Sequence, residues 1–80
     1  MEFLDIPIQV EAHIQNDRLQ PQRISWRQQT YSVIGLGRQW AEADGKHILV
    51  ETHDGSRMEI LYTPDFSWRL QRYWSALSQA

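Results

Sequence analysis

Arg23-Ile24-Ser25-Trp26-Arg27-Gln28-Gln29-Thr30-Tyr31-Ser32-Val33-Ile34-Gly35-Leu36-Gly37-Arg38-Gln39-Trp40 is the stretch that decides the fold. Ile24 and Trp26 alternate with polar residues, Arg27-Gln28-Gln29 interrupts, and Tyr31 and Val33 resume the alternation, which is the pattern of two strands joined by a tight turn. In an antiparallel pair these side chains meet on one face, and each aromatic–β-branched pair stabilises the sheet by about 0.2–1 kcal/mol. The second strand, expected over residues 30–41, then changes parity. Tyr31 and Val33 hold odd positions whereas Ile34, Leu36 and Trp40 hold even ones, with Gly35 and Gly37 at the switch. A bulge or bend at those glycines moves the apolar set to the other register and lets a sheet curl. Long bent strands of this kind turn the corners of small barrels.

Working outward, residues 1–5 read as a loose lead-in, and the ordered core is expected over about residues 6–74 of a single domain spanning 1–80. From Ile6 the alternation is strict, with Ile6, Ile8, Val10, Ala12 and Ile14 on one face. Gln15-Asn16-Asp17-Arg18 is a turn, because Asn and Asp bond their own backbone and tolerate positive φ. A strand then runs over about residues 19–26. After the bent strand, Asp44-Gly45 and Asp54-Gly55 are the strongest turn signals, read as type I′ hairpin turns. They bound strands at residues 46–53 and 56–62. The final segment has two readings. Thr63-Pro64 is suited to capping a helix carrying Phe66, Leu70, Tyr73, Trp74 and Leu77, whereas Phe66, Trp68 and Leu70 alternate as a strand. The strand is preferred to about Tyr73, followed by a short helix or tail. The fold expected is all-β: a five- to six-stranded antiparallel meander bent into a small, SH3-like, partly open barrel with a possible short C-terminal helix. Its core comprises Ile8, Val10, Ile24, Trp26, Tyr31, Val33, Trp40, Ile48, Val50, Ile60, Trp68 and Leu70.

A chain of 80 residues buries only about 60–65% of its extended surface, so its stability has to come from somewhere specific. The absence of cysteine excludes disulfides and thiolate metal sites. Four tryptophans, three tyrosines and two phenylalanines remain, each able to bury about 150–250 Å². Charge is distributed in blocks. Residues 18–41 hold Arg18, Arg23, Arg27 and Arg38 and no acid, and residues 66–80 hold Arg69 and Arg72 alone, on a chain whose net charge is −2. Strand pairing would interleave these arginines with the carboxylates of neighbouring blocks. No signal peptide or membrane-spanning run is read, so a cytoplasmic location with no membrane partner is expected.

The positions Ile24-Ser25-Trp26-Arg27-Gln28, Tyr31, Val33, Trp40 and Trp68-Arg69-Leu70-Gln71-Arg72 together resemble a small, uncharacterised bacterial domain family. Its pattern is Phe-x-Trp-Arg-Gly-x-x-Tyr-x-Val, a Trp, a hairpin, and Trp-Arg-Leu-x-Arg. The resemblance covers about residues 19–74 and departs at Ile24, where the pattern has Phe, and at Gln28, where it has the turn Gly. Some similar domains lie near or are fused to Y-family lesion-bypass DNA polymerases. The resemblance therefore implies an accessory role in DNA repair, without assigning a site.

Little of the sequence carries recognisable chemistry. Gly35-Leu36-Gly37-Arg38-Gln39-Trp40 lacks the third glycine and following helix of a dinucleotide loop. His47, Glu51 and His53 share a strand face, but same-face neighbours stand nearly 7 Å apart, so a solvated face is read there and no metal or cofactor. No cluster of acid, base and nucleophile marks an enzyme. Arginines interleaved with aromatics carry the functional content: Arg23, Arg27, Arg38, Arg69, Arg72, Tyr73 and Trp74. If the last strand closes against the second or third, these become one cationic face on which single-stranded nucleic acid could lie, bases stacked on rings. The favoured expectation is a non-catalytic protein-interaction module or accessory subunit, engaging an unidentified protein or a second copy through a sheet edge. A single-stranded nucleic-acid-binding domain linked to DNA repair is the alternative.

Overall fold

Six strands follow one another up and down in the computed structural model, which describes residues 1–76: β1 (Glu2–Gln15), β2 (Arg18–Trp26), β3 (Gln29–Glu42), β4 (Gly45–Thr52), β5 (Arg57–Tyr62) and β6 (Trp68–Trp74). All pairings are antiparallel, and β1 pairs with β6 to close the meander into a barrel. The last segment is thus a strand through Trp74. The short helix considered after Tyr73 falls largely on residues 77–80, which lie outside the described residues.

Closure depends on two long, bent strands. Residues 2–8 of β1 pair with β6 while residues 9–15 pair with β2, and residues 29–32 of β3 pair with β2 while residues 33–42 pair with β4. The register of β3 shifts between Val33 and Gly35 and again between Leu36 and Gln39, so the parity change read in the sequence is two bulges. The lead-in expected at residues 1–5 is instead the start of β1. Glu2 and Phe3 pair with Tyr73 and Arg72, and a further bulge follows at Asp5, whose φ is 49°. Its carboxylate accepts bonds from Arg69 Nε at 2.8 Å and Gln71 Nε2 at 2.6 Å, which ties this otherwise unremarkable sequence to the last strand.

The turns invert the sequence reading. Type I′ geometry, with both central residues at positive φ, occurs at Asn16-Asp17 (54° and 61°) and at Arg27-Gln28 (55° and 60°). For Arg27 and Gln28 the left-handed conformation costs about 1 kcal/mol each, partly offset where the Arg27 guanidinium stacks 4.0 Å above the Trp26 ring. The Asp-Gly pairs do something else. At Asp54-Gly55 the Gly55 N–H bonds Thr52 O at 2.9 Å, and the left-handed residue is Gly55, at φ 86°, after the turn. This is a type I turn followed by a glycine bulge. Gly45, at φ 139°, lies against the Tyr62 carbonyl, where no Cβ would fit.

The barrel interior is filled by Ile24, Trp26, Tyr31, Ile48, Val50, Met58, Ile60 and Leu70, with Leu4, Ile6, Ile8, Val10, Leu19, Val33, Trp68 and Tyr73 packed around them. Met58 joins the expected set. Trp40 leaves it: after the two bulges it pairs with His47 on the outer face, and it stacks on that ring at 5.1 Å rather than entering the core.

Candidate interaction surface

The seven residues expected to form a cationic aromatic face are dispersed. Because the edge of β6 is taken by β1, not by β2 or β3, the two acid-free blocks do not become neighbouring strands. Arg23 pairs with Glu11 at 3.3 Å, Arg69 with Asp5 at 2.8 Å and Arg72 with Glu59 at 2.6 Å, each across a strand pair. Arg38 lies 5.0 Å from the Trp40 ring. Across strands, the Arg27 guanidinium lies 6.0 Å from the centre of the Tyr73 ring at the barrel end. Tyr73 there is structural: its ring meets Trp26 edge-on at 4.8 Å and its hydroxyl lies 3.2 Å from Ser56 Oγ. Trp74 lies half-buried on the outer face.

A second polar group, not foreseen, is built on that outer face. His47 is 3% exposed under Trp40. Its Nδ1 is 2.9 Å from Glu59 Oε2, and its Nε2 is 2.8 Å from Asp44 Oδ1 and 3.2 Å from Glu42 Oε2. A neutral ring would turn a lone pair on one of these oxygens, whereas the imidazolium donates at both ends. Burial works against that charge more than any other single influence. The hydrogen bonds to Asp44 and Glu59 and the charges of Asp44 and Glu42 together outweigh it, so the His47 pKa is raised. Glu59, equally buried, divides its oxygens between His47 and Arg72. Glu42, Asp44 and His47 bring one ligand atom each within 4.8 Å of one another and are the residues that would hold a metal here. When the ring is protonated its Nε2–H places positive charge between the two carboxylates, and the arrangement then works as an ion-pair clasp over the β3–β4 turn. The solvated strand face expected for His47, Glu51 and His53 holds at Glu51 and His53, which are exposed, and is corrected at His47, which is buried. His53 accepts the Ser32 N–H at its Nδ1 (3.1 Å), and His47 is enclosed because the β3 bulges bring Trp40 over it.

The third feature is an opening. β2 and β3 are paired only through Arg23↔Ser32, Ile24↔Tyr31, Ser25↔Thr30 and Trp26↔Gln29. Beyond Arg23 and Ser32 they part: residues 18–22 continue with β1, and residues 33–42 with β4. The cleft between the two edges measures about 390 Å³ and is lined by Pro21, Arg23, Val33, Ile34 and Leu36 among others. A side-chain amide spans it, Gln39 Nε2 donating to Leu19 O at 3.1 Å. Ile34 and Leu36 remain 63% and 42% exposed, and Ile14, on the projecting β1–β2 hairpin, is also exposed. On the far side of the same β3 segment lies a groove of about 560 Å³ between Gly35, Gly37, Leu49 and Trp74, with Glu51 and Arg57 at its side. A Cβ on Gly35 would meet only ordinary contacts with Glu51, and its φ is not positive, so the fold itself does not require glycine there. What the missing side chain leaves is close access to the β3 backbone.

The exposed edge strands expected from the sequence thus reduce, among the described residues, to these parted edges together with the outer ends of the β1–β2 hairpin. The cleft was legible only as the parity change at Gly35 and Gly37. The His47 clasp leaves a sequence trace in Glu42-x-Asp44-x-x-His47 around a hairpin, which becomes informative once the register of Trp40 is known. No helix among the described residues is long and apolar enough to cross a membrane. Comparison with protein-family models, with curated proteins and with solved structures finds no match for this chain.

Proposed function

We propose that this barrel is a non-catalytic protein-interaction module that receives an extended segment of a partner along β3, in the opening between β2 and β3. The observation carrying this reading is the parting of the two strands beyond Arg23 and Ser32, beside exposed Ile34 and Leu36. Strand edges have unspent N–H and C=O groups in register, and an added strand gains main-chain hydrogen bonds while its alternate side chains select apolar contacts. Gly35 supports the reading by leaving the β3 backbone accessible from its outer side. The single-stranded nucleic-acid reading has less behind it, because Arg23, Arg69 and Arg72 each face a carboxylate and Tyr73 is committed to the core. An accessory place in a larger assembly, such as the repair setting implied by the sequence resemblance, is compatible with such a module.

The test is selection of peptides from a random displayed library against the purified protein, followed by counter-measurement on Leu36→Glu and Gly35→Val. Leu36 is exposed and a Cβ at Gly35 meets only ordinary contacts, so both variants should melt like the parent. Enriched peptides that lose binding to these variants support the reading. Peptides that bind them unchanged, or no enrichment, refute it.

A further inference from the structure

We propose that the segment taken up between β2 and β3 is acidic: an extended peptide alternating carboxylate and apolar side chains. This inference rests on the docking reading above and adds to it the chemistry of the occupant.

The argument is one of charge. Both walls of the cleft come from residues 18–41, the one long run of the chain that holds four arginines and no carboxylate. The bridge from Gln39 to Leu19 O marks its outer end, and the residues adjoining that bridge in the chain are Arg38 and Arg18. Among the described residues neither makes an ion pair: Arg38 rests on the Trp40 ring and Arg18 is exposed at the hairpin tip. Arg23, at the inner end, shares its charge with Glu11 in a pair whose side chains are 62% and 71% exposed. Such a solvated pair is worth little and exchanges readily for a better one. Arg57, beside the outer groove, also makes no ion pair among the described residues, and it faces Glu51 across β4 and β5. Four arginines against Glu11, Glu51 and Asp17, which adjoins Arg18 at the hairpin tip, leave this a positive region on a chain whose overall balance is −2.

The other polar surfaces do not compete for the role. The His47 clasp gathers acids that are already bonded to His47, Trp40 and Arg72. Peptide rather than phosphodiester is favoured because what the cleft presents between its arginines is strand edge. A strand edge bonds amides in register, and a guanidinium fork takes a carboxylate bidentately. Gln39 occupies with its side-chain amide the place where an entering backbone N–H would meet the Leu19 carbonyl.

The experiment uses three short blocked peptides in which valine alternates with Glu, Gln or Lys, each titrated into the ¹⁵N-labelled full chain. The Glu peptide should shift the amides of residues 18–20, 22–23 and 33–39, Pro21 having none. It should bind on the order of tenfold more tightly than the Lys peptide at low salt, with the ratio shrinking as salt rises. Arg38→Gln and Arg18→Gln should each weaken the Glu peptide about threefold and leave the Gln peptide unchanged. If Gln or Lys peptides occupy the same amides as tightly as the Glu peptide, the acidic preference is overturned and the docking reading stands. If no peptide of any charge moves those amides, both fall. If single-stranded oligothymidine displaces the Glu peptide from them at comparable concentration, the arginines serve phosphate and the proposal is overturned in favour of nucleic acid.

Discussion

Replacing Glu59 by Gln perturbs the one buried carboxylate among the described residues. Glu59 is 3% exposed and holds His47 through one oxygen and Arg72 through the other, at 2.9 and 2.6 Å. Removing one member of a fully buried ion pair costs about 3–5 kcal/mol, mostly because its partner is stranded. Neither partner is fully stranded here. Arg72 keeps 43% of its side chain in solvent, and His47 keeps Asp44 and Glu42 at its other nitrogen. The loss should therefore be about 2 kcal/mol. For a chain of this size that is a fall in Tm of about 8–16 °C. The pH dependence is the sharper readout. The pKa of His47 is raised in the folded protein, so its stabilisation is complete below the unfolded value of about 6.5 and is lost as pH rises through the folded value. The parent should thus weaken over that interval. Glu59→Gln should show a shallower slope, since one of the bonds raising the pKa is gone, and His47→Gln should lack this component altogether. Urea unfolding followed by tryptophan fluorescence, at a series of pH values from about 5.5 to 9, measures all three. A loss below about 0.5 kcal/mol for Glu59→Gln, or a parent whose stability does not decline with pH in that interval, would refute the clasp.

Gln28→Gly should stabilise the fold by about 1 kcal/mol, because Gln28 sits at φ 60° in a two-residue turn; a midpoint that fails to rise in urea would remove the strain argument. Gly45→Ala should cost about 3 kcal/mol or more, since its φ of 139° and the Tyr62 carbonyl beside it leave no place for a methyl; a well-folded variant with an unchanged melt would mean that the turn is built differently. Acid should act through Asp5, Asp54 and Asp65. Each has a lowered pKa: Asp5 through Arg69 and Gln71, Asp54 because burial, the largest single influence and an opposing one, is outweighed by the bonds from Thr52 and Ser56 together, and Asp65 through Thr63 and Ser67. Their stabilisation is present above about pH 4 and disappears as pH falls through the lowered values, which carboxyl titration by NMR reads directly.

The strand pattern was legible because apolar alternation survives in every strand of this chain. Ile24, Ile48, Val50, Ile60 and Leu70 could be assigned to the core from parity alone. The bulges in β3 were visible as a parity switch at Gly35 and Gly37, but their number was not, and Trp40 was misplaced for that reason. Turn type was misread because Asp-Gly serves a type I turn with a following glycine as well as it serves type I′. Meanwhile Arg27 and Gln28 adopt positive φ with no local signal, held by the pairing of the strands on either side. The start of β1 was hidden because its order comes from β6, many residues away: Phe3 is exposed and acquires a strand only by pairing with Arg72. The candidate site was least legible of all. A cleft formed where two strands separate has no motif of its own, and the arginines singled out in the sequence proved to be apportioned among three separate carboxylates and two rings.

Native-state hydrogen exchange on the amides flanking the opening tests the central claim most directly. In the free protein, amides of residues 19, 20, 22 and 34–38 that point into the cleft should exchange rapidly, while those bonded in the Ile24↔Tyr31 region are protected close to the level of global unfolding. Saturation with a peptide selected on the parent should then slow exchange at the cleft amides on both strands. Cleft amides already protected in the free protein would mean that β2 and β3 stay paired along their length and that no edge is offered. Amides that remain fast with peptide bound would place the interaction elsewhere on the barrel.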